Sequence, residues 1–139
     1  LLHAHASLVR RVDEALAAAD KVPMEMYDVL LELEDAPGRR LRIKELAQRS
    51  ILSLSGVSRL VDRMVRRGLV DREVDPSDRR STFVLITDAG LGAREDAWPI
   101  LRNAIHLSFG SHLTPEEAEM LECYLGKFGP NRFSKPARA

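Results

Sequence analysis

Apolar residues recur every three or four positions over residues 1–19. Leu1, Leu8, Val12, Ala15, Leu16 and Ala19 share one face, and Arg10, Arg11, Asp13 and Glu14 fall elsewhere on the wheel. This spacing predicts an amphipathic helix. Pro23 sits where a first helical turn tolerates it. Beyond it, Met26, Val29, Leu30 and Leu33 form one apolar face, and Met24, Tyr27 and Leu31 a second. A helix apolar on two sides is expected at the centre of a fold, packed on both. Asp35-Ala36-Pro37-Gly38 ends it with turn chemistry. Leu41-Arg42-Ile43 alternates like a short strand, and residues 44–49 form a short helix with Leu46 and Ala47 turned inward.

Ser53 is a plausible N-cap for a helix that runs to about Arg67 and stops at Gly68, in the C′ position. Residues 69–74 and 82–86 then read as two strands. The polar run Asp75-Pro76-Ser77-Asp78-Arg79-Arg80-Ser81 is the loop of a hairpin between them. Thr87 can cap a helix reaching about Ser108, which Pro99 is expected to kink or break. Thr114-Pro115-Glu116-Glu117 combines a capping box with proline at the first helical position. The last helix carries Ala118, Leu121, Leu125 and Phe128 on one stripe, and a polar tail from residue 129 is expected to fray. The pattern predicts a mainly α chain with a small β-hairpin (α+β), in which a helix-turn-helix precedes the hairpin. That is the winged-helix arrangement.

The chain has 139 residues, 45% of them hydrophobic and 30% charged, which suits one folded domain. It opens at Leu1, already in helical periodicity and without Met, so further N-terminal sequence is expected before it. No run of about 18 apolar residues and no charged-then-apolar leader is visible, and a cytoplasmic location without membrane attachment is expected. One cysteine, Cys123, excludes an internal disulfide framework and a multi-cysteine zinc site. The formal net charge is zero but unevenly spread. Residues 39–80 hold 12 basic and 6 acidic residues, a balance of +6 that the remainder offsets with −6. A basic middle between acidic ends suggests a polyanion-binding lobe.

On the helix from Ser53, Val57, Leu60, Val61 and Met64 fall on one side. Ser55, Ser58, Arg59, Asp62, Arg63 and Arg66 fall on the other. Small residues near the start (Ser55, Gly56, Ser58) allow the backbone near a groove floor, and Arg59 has the reach for guanine O6 and N7. Arg63 and Arg66 suit phosphates. A solvated surface helix would show the same division. Gly56 costs roughly 1 kcal/mol of helix propensity relative to Ala. Close approach to DNA or tight packing on the preceding helix would each account for it. Arg79 and Arg80 suit a minor groove, with Asp78 as a carboxylate that could fix an arginine rotamer.

These residues carry a resemblance. The run Asp75-Pro76-Ser77-Asp78-Arg79-Arg80 followed by Val84-Leu85-Ile86-Thr87-Asp88-Ala89-Gly90 resembles the wing signature of MarR-family transcription regulators. Glu45-Leu46-Ala47 and Val57-Ser58-Arg59-Leu60-Val61-Asp62-Arg63 resemble that family's helix-turn-helix, and Gly68-Leu69-Val70 with Arg72 matches the step into the wing. The resemblance implies a winged helix-turn-helix lobe over 22–90, with residues 1–20 and 88–128 forming a helical homodimerisation region. It implies a sequence-specific double-stranded DNA-binding regulator of pseudo-palindromic operators, commonly a repressor released by a small, often aromatic, ligand. By position, Ser53, Ser55, Gly56, Ser58, Arg59 and Arg63 become recognition-helix contacts, Arg79 and Arg80 wing contacts, Asp78 the wing carboxylate and Arg42 a backbone contact. Pro99 departs from the pattern expected of the long connecting helix. The family's peroxide-sensing cysteine near the N-terminal helices is missing from this sequence.

Other residues carry less. His3, His5, His106 and His112 lack ligand spacing, so no metal and no cofactor is expected. Cys123 reads as a small buried hydrophobe, Trp98 as core or dimer interface, and the four methionines as core filling. Asp28 reads as a partly buried carboxylate. No nucleophile–base pair or phosphate loop supports an enzyme. A winged-helix module binding an acidic protein partner is the alternative to DNA binding.

Overall fold

A computed structural model describes residues 2–127. The order is α1 (Leu2–Ala18), α2 (Met24–Asp35), β1 (Arg40–Arg42), α3 (Ile43–Arg49), α4 (Leu54–Arg66), β2 (Val70–Asp75), β3 (Asp78–Ile86), α5 (Asp88–Ser108) and α6 (Pro115–Gly126). Short 3-10 turns at Pro37–Arg39 and Gly110–His112 link α2 to β1 and α5 to α6. Phe128 and the polar tail lie outside the described residues.

Helix α2 is central. Met26, Tyr27, Val29, Leu30 and Leu33 are buried, and the helix packs against α1, α5 and the sheet. Leu31, expected on its second apolar face, is exposed instead. Pro23 has no side chain with which to cap α2. Asp13 of α1 supplies the acceptor, its Oδ1 taking the Met24 N–H at 2.8 Å. Val12 and Leu16 of α1, and Ala97, Leu101 and Ala104 of α5, complete one side of the core. Val57, Leu60, Val61 and Met64 of α4 make the other, as their spacing predicts. Arg94 of α5 pairs with Glu34 of α2, both largely covered.

The three strands form one antiparallel sheet in the order β1-β3-β2. Leu41 stands opposite Val84, both buried, and this pairing ties the strand before the helix-turn-helix to the hairpin after it. Gly68 ends α4 with φ +70°. Its N–H donates to Val65 O and that of Leu69 to Met64 O, a Schellman pair. Thr87 caps α5 by accepting from Gly90 N at 3.0 Å, and its hydroxyl donates to Gly68 O at 2.7 Å. Gly90 is required there, because a Cβ would overlap the Leu69 carbonyl oxygen.

Pro99 does not break α5, which runs as one helix from Asp88 to Ser108. Both Pro99 and Glu95, whose carbonyl loses its intrahelical partner, are exposed, so water can serve that oxygen. The flanking Ala97 and Leu101 are anchored in the core. Helix α6 has the expected capping box, with Thr114 Oγ1 accepting from Glu117 N and Glu117 Oε2 from Thr114 N. It buries none of its residues within the chain. Cys123 is therefore exposed rather than buried, and Met120 is exposed rather than core filling. Trp98 is 45% exposed and stacks on Tyr27 with ring centroids 6.5 Å apart.

Candidate nucleic-acid interface

Helix α4 divides as its sequence requires: one face is fully buried, and Ser55, Arg59, Arg63 and Arg66 are exposed on the rest. Ser53 is the N-cap, its Oγ accepting from Gly56 N at 3.1 Å and lying 3.1 Å from Ser55 Oγ. A Cβ at Gly56 would stand 3.3 Å from Ser53 Oγ and 3.4 Å from Leu52 Cβ. A side chain at position 56 would therefore sit tight against the cap turn, whatever approaches from outside. Ser58 is half-buried.

The hairpin differs from its sequence reading. The seven-residue loop over 75–81 is instead a tight turn through Pro76 and Ser77, and Arg79 and Arg80 belong to β3. Asp75 drives the turn: its Oδ1 accepts the Ser77 N–H at 2.8 Å and the Ser77 hydroxyl at 2.7 Å. The register then jumps. Val74 pairs with Thr82 but Asp75 pairs with Asp78, so Arg79, Arg80 and Ser81 have no partners on β2. The two arginines thus stand on a bulge, which turns side chains out of the ladder.

Asp78 is not the carboxylate that holds an arginine. Its Oδ1 accepts from the Arg80 backbone N–H at 3.0 Å. That role belongs to Asp75, only 2% exposed, whose Oδ2 accepts from Arg42 Nε at 2.9 Å and Nη2 at 2.6 Å. The hydrogen bonds from Ser77 and then from Arg42 hold the Asp75 carboxyl at about 2, below its ordinary 3.8. Asp75 in turn pushes Arg42 further up. The Arg42 and Arg40 guanidiniums lie 5.2 and 4.6 Å from the Phe83 ring centre. Arg42, expected at the DNA backbone, braces the hairpin and keeps 40% of its side chain exposed.

Sequence reading also missed what joins β2 to α4. Arg72 Nη2 donates to Ser58 O at 3.2 Å and sits 2.8 Å from Asp62 Oδ1. Arg63 pairs with Glu25 of α2 at 2.7 Å, with both side chains half-exposed. Among the described residues, Arg59, Arg66, Arg79 and Arg80 are exposed and make no ion pair. No group of three or more His, Cys, Asp or Glu is placed there to hold a metal, and no helix there is long and apolar enough to cross a membrane.

Residues 22–81 match the family model described as the MarR family. The fold superposes on Sco3205 of Streptomyces coelicolor, a MarR family transcriptional regulator solved in complex with DNA. The TM-score is 0.84 at 30% identity, covering 99% of this chain and 85% of that one. The chain belongs to the MarR family. The HTH-type transcriptional regulator YkoM of Bacillus subtilis is 32% identical over 63% of this chain. The multiple antibiotic resistance protein MarR of Escherichia coli is 30% identical over 62% of this chain. The matched stretches span 56% of YkoM and 60% of the E. coli protein. Within this MarR-family chain, the fold is the winged helix expected from sequence. Its third strand, its hairpin bulge and the Arg42–Asp75 brace are what the structure adds.

Proposed function

We propose that this chain is a homodimeric, sequence-specific double-stranded DNA-binding transcriptional regulator. Helix α4 enters the major groove, and the β2–β3 hairpin reaches the adjacent minor groove. The observation that carries this reading is the set of exposed guanidiniums without ion pairs on α4 (Arg59, Arg66) and on the bulge (Arg79, Arg80). Arg72 fastens the hairpin's first strand to α4. Arg59 reads base edges, while Arg66, Arg79 and Arg80 meet phosphates or the minor groove. Ser53, Ser55, Gly56 and Ser58 keep the α4 backbone close to the groove floor. Arg63 exchanges Glu25 for a phosphate. Asp78, through the Arg80 N–H, and Arg42, through Asp75, hold the hairpin in shape.

What α5 and α6 leave uncovered supports the dimer: Leu107, Phe109, Met120, Tyr124 and Leu125 are exposed, and α6 buries nothing in its own chain. A second copy seats these residues. Repression in the cytoplasm, relieved by a small ligand, is the mode we attach to this reading.

Fluorescence anisotropy with labelled duplexes across a salt series tests it. Binding whose log affinity falls linearly with log salt supports a phosphate-contacting surface. A chain that binds no duplex at low salt, or remains a monomer in sedimentation at micromolar concentration, contradicts it.

A further inference from the structure

Leu54 opens α4 and is 49% exposed. The helix start is complete without it. Ser53 accepts the Gly56 N–H, Leu52 packs against the core from one side of the cap, and Val57 is buried on the other. A first helical turn favours proline and acidic residues, and α4 has neither there. A carboxylate at this place would repel phosphates, whereas leucine is neutral. Leu54, Ser58 and Asp62 recur at four-residue spacing and form one stripe along α4. Arg72 of β2 holds the Ser58 carbonyl and the Asp62 carboxylate of that stripe. Leu54 is its remaining, N-terminal end, next to exposed Ser55.

We infer that Leu54 is a specificity-determining residue that reads the C5-methyl group of a thymine in the major groove. A leucine side chain neither donates nor accepts a hydrogen bond, so the donors and acceptors on base edges are closed to it. The thymine methyl is the one apolar group that a base pair shows in that groove. Cytosine at the same place would set its N4 amino group against the leucine without an acceptor, at the cost of that donor's hydration. Leu54 precedes Arg59 by five residues, about 7.5 Å along a helix rising ~1.5 Å per residue. At ~3.4 Å per base-pair step that is roughly two steps, so the thymine and the guanine assigned to Arg59 belong to separate, neighbouring pairs. The inference rests on the DNA-binding reading above and adds to it a base selected without a hydrogen bond.

The test uses a duplex selected by the whole chain from a random library and resynthesised with deoxyuridine at each thymine in turn. Deoxyuridine keeps the pairing and O4 and lacks only the methyl. Fluorescence anisotropy is expected to show one thymine per half-site at which the change weakens binding about four-fold, the factor equivalent to ~0.8 kcal/mol for one buried carbon. Changing both half-sites should weaken it about sixteen-fold, the square of that factor. With cytosine at the sensitive position, 5-methylcytosine should bind more tightly than cytosine by a similar factor. Leu54→Ser should bind thymine and deoxyuridine duplexes equally, and Leu54→Met, which keeps an apolar tip, should still prefer thymine. Circular dichroism melts of both variants check folding, and the base-analogue arms on the parent chain do not depend on them. Indifference of the parent to deoxyuridine at every thymine, or a selected half-site without thymine, overturns the inference. So does a thymine preference that persists in Leu54→Ser, which is the mark of duplex stiffness or of another side chain. A chain that binds no duplex loses the regulator reading as well, and one that selects a site but ignores the methyl loses only the role of Leu54.

Discussion

Arg42 and Asp75, 33 residues apart in sequence, are joined by two hydrogen bonds to one carboxylate oxygen, at 2.9 and 2.6 Å. Arg42 closes β1 just before the helix-turn-helix, and Asp75 begins the hairpin turn just after it. The other oxygen of Asp75 is filled by Ser77. One buried carboxylate therefore sets both the shape of the turn and its attachment to the body of the domain.

Replacing Asp75 with Asn leaves Arg42 without its counter-charge and weakens the turn. Amide exchange over residues 77–81 should accelerate by at least ten-fold, a local opening penalty of about 1.4 kcal/mol or more. Duplex binding should weaken while its salt slope stays unchanged, because no phosphate contact is removed. The acid response follows from the depressed Asp75 carboxyl, at about 2 against 3.8. A depressed carboxylate contributes its stability fully above about pH 4 and loses it as pH falls through about 2. The stability difference between parent and Asp75→Asn should therefore shrink across that window, as measured by urea melts at each pH.

Arg79→Ala combined with Arg80→Ala should lower the salt slope of duplex binding by about one to two units per protomer. Tight binding with an unaltered slope in the double variant would move the bulge away from DNA.

Arg59→Ala should cost about 1–3 kcal/mol of discrimination at one base step, with a smaller loss on non-specific duplex. The measurement is a comparison of affinities across half-site variants. An unchanged preference would remove Arg59 from base readout.

Gly90→Ala should destabilise the fold by about 1–3 kcal/mol, since the new methyl meets the backbone oxygen of Leu69. Gly92 has nothing within 4 Å of a Cβ, so Gly92→Ala should be neutral or stabilising by up to about 1 kcal/mol. Thermal melts of the two variants give the contrast directly.

Local chemistry was legible in the sequence. The Ser53 cap, the Gly68 stop and the buried row Val57, Leu60, Val61 and Met64 depend on neighbours within a few turns. So does the Thr114 capping box. What sequence reading missed depends on contacts across tens of residues. Asp75 looked like a loop residue because Arg42 is far away along the chain, and Arg72 gave no sign that Ser58 and Asp62 would receive it. The bulge at Arg79–Ser81 arises from a register jump that alternation alone does not encode. Pro99 does not interrupt α5, because packing of Ala97 and Leu101 outweighs one lost backbone bond at an exposed site. The outward face of α6 reads as core in a single chain, since its apolar stripe carries no mark of whether its own chain or a second copy covers it.

Selection of bound sites from a random duplex library at physiological salt tests the central claim, that α4 and the hairpin form one DNA-reading surface in a two-fold assembly. Enrichment of a pseudo-palindrome whose half-site centres lie about 34–36 Å apart is the expected result. A bound pool without sequence enrichment, or a single unpaired half-site, would contradict it.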